Sequence, residues 1–332
     1  MPTPPLTAEQ KQQAVDAVAR HMGSIPAAAI DLGINPNTFR HRVRTAQDEG
    51  FLPNVSPDKP RIRVPARSVY SPMPNSHGKP VRVFVWGCAH DSPTIPDKSR
   101  FRHAGLLASE LMPDFIVDLG DALDLDSLST HDAPGSVADR ARPHFLAEAA
   151  SLEEAVAAFH DTAPDPDTVP RYHLDGNHEN RAARYEQANP AAQGVYTLPI
   201  QQVFARYGWT VRAFREWLFL EGVGFTHAPI NGMGREVGGI NANQTVAREA
   251  TFSVVWSHTH KREYVNRPKF GVGNGVQVYN TGSSMPQGYI KPYAGLAMTG
   301  WTYGFSELTL RDGQIESARY WSALELAERY AS

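Results

Sequence analysis

The sequence predicts an α/β protein with a small all-α unit at its front. Three observations predict it. From residue 81 onward, short apolar runs alternate with helical ones, as strand–helix units require. Before residue 50 the apolar periodicity is helical only. Between them, Gly50 to Pro80 holds seven prolines (53, 57, 60, 65, 72, 74 and 80) among polar and basic residues, the composition of an extended linker. The expected organisation is an all-α unit over 1–49, a Pro-rich linker over 50–80 and a large α/β domain over 81–332.

In the first unit, "EQKQQAVDAVAR" places Ala14, Val15 and Val18 at helical intervals that Met22 continues. A second short helix follows in "SIPAAAIDLG", and Gly33 stops it. In "INPNTFRHRVRTA", Asn35 caps a third helix and Pro36 fits its first turn. Small Ala29, Gly33 at the turn and apolar Phe39 resemble the spacing that lets two helices cross closely in helix-turn-helix domains. The resemblance covers about 40 residues. It implies a DNA-facing helix with Thr38, Arg40, Arg42 and Arg44, although a charged row is equally the solvated face of a helix. Such domains often pair, so the expected partners are DNA and, in addition, a homodimer mate.

The large domain reads as "VRVFVWG", then "FIVDLGD", then a helix with Phe145, Ala149, Leu152, Val156 and Phe159 at steps of three and four. "RYHLDGN", "WLFLEGVGFTH" and "FSVVWSHTH" follow as strand-like runs, most of them ending in polar residues. "VQVYNTGSS" and "FSELTLRDGQIESARYW" are later strands, the second folded at Asp312 and Gly313, and "SALELAERY" is a closing helix. With 41% hydrophobic and 20% charged residues, no apolar run near membrane length and no signal-like start, the chain is expected in the cytoplasm, with no membrane partner. A single cysteine leaves metal chemistry to His, Asp and Asn, and 13 histidines are ample. The net charge of −3 gives no global bias toward nucleic acid, so any such binding needs a local patch.

Five polar clusters close the apolar runs: "GCAHD" (87 to 91), "LGDALD" (119 to 124), "DGNHENR" (175 to 181), "FTHAP" (225 to 229) and "WSHTHKRE" (256 to 263). In this order they resemble the calcineurin-like metallophosphoesterases, whose blocks run DxH, GDxxD, GNH(D/E), a lone His and GHxH. The likeness spans residues 80 to about 265. Two positions depart from it: Cys88 stands for the first Asp and Ser257 for the Gly of the last block. "GDALDLDSLSTHD" with "GNHENR" looks more like the phosphoesterases of bacteriophage and prophage genomes than like protein phosphatases, in which Arg and Gly follow the second Asp.

The resemblance implies a four-layer α-β-β-α sandwich and two divalent metal ions. It implies that His90, Asp121 and His260 hold one ion, with Cys88 at the remaining position, and that Asn177, His227, His258 and the shared Asp121 hold the other. His178 would contact the scissile phosphate and protonate the leaving group, and Asp124 would orient it through a hydrogen bond. Arg181, one helical turn further, would reach a substrate phosphate. Phosphate-ester hydrolysis needs a nucleophile at neutral pH, shielding of charge and a partner for the leaving oxygen, which two metals supply. His103, His131, His144, His160 and His173 carry the ordinary structural expectation.

Cys88 has three readings. It ligates, favouring manganese, zinc or iron over magnesium; it stays a thiol and leaves a weaker site; or Asp91 swings in to replace the missing carboxylate. The function expected first is a metal-dependent phosphodiesterase or nuclease on DNA. Its alternatives are a phosphatase or cyclic-nucleotide phosphodiesterase on a small substrate, and an inactive DNA-binding or structural phage protein.

Overall fold

The computed structural model describes residues 5–21, 25–53, 79–130, 135–270, 275–290 and 300–331. Most of the expected linker, residues 54–78, lies outside them, as do Met22 and His131. The chain divides into two compact units, Met1–Ser68 and Val69–Ser332.

The first unit has three helices: α1 (Ala8–Arg20), α2 (Ile25–Asp31) and α3 (Pro36–Asp48). Thr7 and Gln10 form a reciprocal capping box on α1. The Asn35 side chain accepts from the Asn37 N–H at 3.0 Å and caps α3. Between α2 and α3 the chain turns through Gly33, whose φ of +63° suits a residue without a Cβ. Ala14, Ala17, Ala28 and Ala29 pack around buried Phe39 and Val43, so short side chains admit the close crossing. Thr38, Arg40 and Arg44 are exposed on α3, and Arg42 is half-buried.

In chain order the second unit comprises β1 (Val81–Trp86), α4 (Ser99–Leu111), β2 (Phe115–Asp118), α5 (Val137–Arg140), α6 (Phe145–His160), β3 (Arg171–Leu174), α7 (Glu179–Ala188), α8 (Thr197–Arg206) and β4 (Trp209–Arg212). Then come β5 (Leu218–Leu220), β6 (Val223–Phe225), α9 (Ala242–Glu249), β7 (Val254–Trp256), β8 (Arg262–Pro268), β9 (Gly275–Thr281), β10 (Gly304–Arg311), β11 (Gln314–Ser322) and α10 (Ala323–Arg329). They build two mixed sheets, ordered β11-β10-β1-β2-β3-β4 and β5-β6-β7-β9-β8. Among the described residues, no helix is long and apolar enough to cross a membrane.

Alternation along the strands creates the layers. Val83 and Val85 of β1 enter the seam between the sheets, where they meet Leu220, Phe225 and Val255 of the second sheet. Phe84 and Trp86 face the other way, beneath α4, α6, α8 and α10. On the second sheet, Val254 and Trp256 of β7 face outward against Val246 and Ala247 of α9. The order is helix, sheet, sheet, helix: the four-layer sandwich that the resemblance implies.

"WLFLEGVGFTH", expected as one run, is instead the hairpin β5–β6. Glu221 and Gly222, at φ +48° and +77°, make its two-residue turn. Asp312 and Gly313 join β10 to β11 with nearly the same angles. The parallel strands β1, β2 and β3 of one sheet, and β6, β7 and β9 of the other, set a common direction in each sheet. The polar clusters all follow carboxyl ends of these strands, the edge at which open α/β sheets bind ligands.

Phe159 is buried against Trp86 and Trp209, with ring centroids 5.2 and 5.7 Å away. Phe159→Ala is expected to destabilise the second unit by about 3–5 kcal/mol. All six tryptophans lie in that unit, so urea unfolding followed by tryptophan fluorescence reads the loss directly.

Candidate metal centre

The loops after β1 and β2 continue the parallel pairing of their strands beyond the strand ends. Cys88 N–H donates to Gly120 O at 2.8 Å, His90 N–H to Asp121 O at 2.8 Å, and Asp91 N–H to Ala122 O at 2.7 Å. Strand register therefore sets Cys88 and His90 beside Asp121. The loop after β3 comes in from the other side and demands two glycines. A Cβ on Gly120 would lie 2.1 Å from Leu174 O, and one on Gly176 would lie 2.1 Å from the Asp121 carboxylate. The Gly of "GD" and the Gly of "GN" are thus what allows the two loops to touch.

Ten described non-glycine residues have positive φ, and five of them are Cys88, His90, Asp121, His258 and His260. Left-handed backbone costs on the order of 1–3 kcal/mol per such residue and persists where the surroundings impose it. Here it turns successive side chains inward. His258 and His260 reach different parts of the cluster because of these loop angles, not through strand alternation, since β7 ends at Trp256.

The hydrogen-bond pattern fixes where the lone pairs point. His227 Nδ1 lies 2.8 Å from Leu119 O, which can only accept, so Nδ1 carries the hydrogen. Its Nε2 then faces Asn177 Oδ1 at 3.0 Å, Asp121 Oδ2 at 3.2 Å and His258 Nδ1 at 3.3 Å. His90 Nδ1 is held 2.9 Å from Asp124 Oδ1, which turns its Nε2 toward His260 Nε2 at 3.0 Å and Asp121 Oδ2 at 3.8 Å. Asp121 Oδ1 accepts the His178 backbone N–H at 2.9 Å, leaving Oδ2 between His90 and His227. The result is two adjoining sets of acceptor atoms that share one carboxylate oxygen. Such sets call for cations between them.

Protonation agrees with this at His258, His260 and Asp121, whereas at His227 burial opposes the charge but Asp121 outweighs it and raises the proton affinity. Burial, reinforced by charged neighbours, lowers His258 to about 4 and His260 well below the usual histidine range, so both are neutral near pH 7. Burial works against the charged form of Asp121 too. The histidines around it outweigh that and hold its carboxyl well below the usual range. Neutral imidazoles and an ionised carboxylate are the forms that bind metal. The donor set fits a pair of divalent ions: His90, Asp121 and His260 could face one, Asn177, His227, His258 and Asp121 the other, and the Cys88 sulfur lies within reach of both groups. Ligand atoms of Cys88, His90 and His260 lie within 4.8 Å of one another, as do those of Cys88, Asp121 and His227.

His178, Asp124 and Arg181 also converge here, but two expected contacts change. The Asp124 carboxylate orients His90; it is 3.7 Å from His178 Nδ1. What His178 Nδ1 donates to, at 2.6 Å, is the main-chain carbonyl of Asp124, because Leu125 at φ +48° turns the chain just beyond it. Arg181 does not extend into the centre. Its NH1 donates to Asp124 O at 2.9 Å, Leu125 O at 3.3 Å and Asp126 Oδ1 at 3.3 Å, while NH2 lies 3.4 Å from His178 Nε2. Three acceptors on one guanidinium fix it beside His178. Burial, with His90 and Arg181 adding to it, lowers His178 to about 3.

The two departures from the resembled pattern touch each other. Cys88 Sγ is 3.0 Å from Ser257 Oγ and accepts the His258 N–H at 3.1 Å. Ser257 Oγ is 2.9 Å from Gly282 O, and its one hydrogen goes there because a carbonyl cannot donate. The thiol hydrogen of Cys88 therefore points at Ser257. Burial, and then Asp121, push this thiol well above its ordinary value, so a cation would have to displace the proton. Asp91 does not rescue the position. Although the strand ends at Trp86, Asp91 turns away from the cluster. Its oxygens take Lys98 at 2.7 Å, Arg100 at 2.7 Å and Ser151 at 2.6 Å.

Two residues of the site went unnoticed in the sequence, and a third residue behind it, His173, is the buried core histidine expected there. Trp301 stands edge-on to His260 at 4.1 Å. Glu179, of "GNHE", lies behind Asp121, where burial and the Asp121 charge raise it to about 7 while main-chain N–H donors favour its ionised form. His173, expected to be an ordinary core histidine, is fully buried at 2.9 Å from Asp118 and 3.4 Å from Asp175. Burial opposes its charge, yet Asp118 outweighs it and raises His173 to about 10.

No family model and no curated protein matches the chain. Solved structures do. The phosphoesterase YfcE of E. coli is 14% identical over 72% of this chain and 98% of its own, with a TM-score of 0.31. Vacuolar Protein Sorting 29 of Cryptosporidium parvum is 16% identical over 73% and 98%, with a TM-score of 0.33. A dimetal phosphatase of Danio rerio is 11% identical over 74% and 98%, with a TM-score of 0.38. At such values no residue role passes from those proteins to this one.

Two outcomes are expected. Cys88→Asp replaces a protonated thiol with a charged oxygen donor, so the chain should retain more manganese after gel filtration, by roughly the 10- to 100-fold that a ligand-shell change brings, read by elemental analysis. His173, with its proton affinity raised on folding, contributes stability that is fully present below its unfolded value of 6.5 and lost as pH rises toward 10. The stability gap between wild type and His173→Gln should therefore shrink between pH 6.5 and 10, measured by urea unfolding at each pH.

Proposed function

We propose that this chain is a metal-dependent phosphoester hydrolase of the calcineurin-like kind, and that its substrate is the phosphodiester backbone of DNA. The observation that carries the first part is the lone-pair geometry: His90 and His227, each fixed at Nδ1, direct Nε2 toward one oxygen of Asp121. Five loops contribute acceptors to this centre, and an orienting group holds each of these two rings.

Two divalent ions held there would shield the phosphate charge and bring a water nucleophile within reach of neutral pH. His90, Asp121 and His260, with Cys88, would hold one, and Asn177, His227, His258 and Asp121 the other. The ions would be manganese, zinc or iron, the soft sulfur favouring zinc and iron over magnesium. His178 keeps its hydrogen on Nδ1, against Asp124 O, so Nε2 is the atom that exchanges a proton with substrate. A phosphate beside Nε2 raises its proton affinity from the low value of the free site. The acid that protonates the leaving oxygen then exists in the complex. Arg181 holds the ring and Asp126 in place.

The DNA part rests on the first unit. The turn at Gly33 sets α3 after α2, and α3 exposes Thr38, Arg40 and Arg44 with Arg42 on its flank. A helix-turn-helix of this kind raises the local DNA concentration at a tethered centre without tight binding by the hydrolase itself.

Manganese- or zinc-loaded protein is expected to cleave DNA and bis(p-nitrophenyl) phosphate, and chelation to abolish both. His178→Ala should lower turnover by about 10²–10⁴ with metal content unchanged. Arg40→Ala with Arg44→Ala should slow DNA cleavage and reduce its salt dependence while leaving the small diester untouched. Intact DNA alongside a cleaved small diester would remove the DNA substrate and leave a small-substrate phosphodiesterase.

A further inference from the structure

We infer that Glu179 is a positioning residue that sets the spacing of the centre by clamping the loop of Asp121 to the loop of Asn177 and His178. This rests on the dinuclear reading proposed above. Glu179 is the first residue of α7, directly after His178, and is 4% exposed. Its Oε2 accepts the N–H groups of Asp121 at 3.0 Å and of Gly176 at 2.8 Å. Its Oε1 accepts Ala122 N–H at 2.8 Å and, more weakly, Leu123 N–H at 3.4 Å. One carboxylate thus gathers four main-chain donors from two loops.

The exchange is reciprocal. Asp121 receives the His178 N–H on Oδ1, and Glu179 receives the Asp121 N–H on Oε2. Each loop supplies a carboxylate to the other and a peptide donor in return. Asp121, at φ +51°, has left the strand, so its N–H and that of Ala122 find their partner in Glu179. Charge-assisted bonds of this sort are about twice as strong as neutral ones, and they act on the residue whose Oδ2 lies between His90 and His227. A shift of the Asp121 main chain would move that shared oxygen relative to both histidines at once. Among the described contacts, the hydrogen bonds of the Glu179 carboxylate all go to main-chain N–H groups, so its influence runs through the backbone.

Glutamine at 179 keeps one accepting oxygen and turns an NH₂ group toward N–H donors. Aspartate keeps the charge but falls one methylene short. The test uses the full chain loaded with manganese, reading stoichiometry and affinity by calorimetry and the spacing of the ions by the exchange-coupled electron paramagnetic resonance signal. Wild type should bind two ions and give the coupled signal. E179Q, with native circular dichroism, should bind the second ion about 10- to 100-fold more weakly and show isolated-ion lines, and E179D should fall between. A merely structural role would lower the unfolding midpoint and leave the coupled signal alone; that result in E179Q overturns the inference. If E179Q does not fold, E179D decides, and a wild-type coupled spectrum there overturns it equally. Wild type with fewer than two ions overturns the dinuclear reading itself, and the inference with it.

Discussion

Asp121 is the constraint on which the rest of the second unit depends. A carboxylate buried to this depth costs several kcal/mol unless its oxygens are occupied. One takes a peptide N–H from the next loop; the other faces two imidazoles. Every neighbour is then constrained in turn. Gly120 and Gly176 have no room for a side chain, β1 and β2 hold their register past the strand ends, and His90 and His227 are locked at their far nitrogens. The sandwich brings two sheets together so that their loops can satisfy one carboxyl group.

Much of this was legible in the sequence because it depends on local rules. Strand periodicity, the Asn35 cap, the turn at Asp312–Gly313 and the stop at Gly33 are decided within a few residues. The site was visible as five polar clusters, because residue type and order survive without coordinates. What stayed hidden depends on angle and on distance along the chain. Nothing in the letters of Cys88, His90 or His260 announces a left-handed backbone. Asp124 splits its roles, carboxylate to His90 and carbonyl to His178, a division that only the Leu125 turn creates. Arg181 looked free to reach substrate, but three nearby oxygens hold it. Glu221 hid a hairpin inside an apolar run, since left-handed φ in glutamate is uncommon.

Cys88 and Ser257 show how two departures from a pattern become one feature. They are 169 positions apart, yet sulfur and hydroxyl meet at 3.0 Å, and Gly282 settles which atom donates. The pair makes a neutral, saturated arrangement where the resembled family has a charged ligand. A cation on that side would therefore compete with a proton and a hydrogen bond. So would one on the other, where His227 Nε2 lies 3.0 Å from Asn177 Oδ1 and 3.2 Å from Asp121 Oδ2 and, against burial, the Asp121 charge raises its proton affinity.

Burial of Cys88 has a consequence outside metal binding. A sulfur with no exposed surface and a proton held this firmly presents almost no thiolate to oxidants. The chain's single cysteine is thereby insulated from the redox poise of its surroundings, and it cannot cross-link one copy to another without opening the fold.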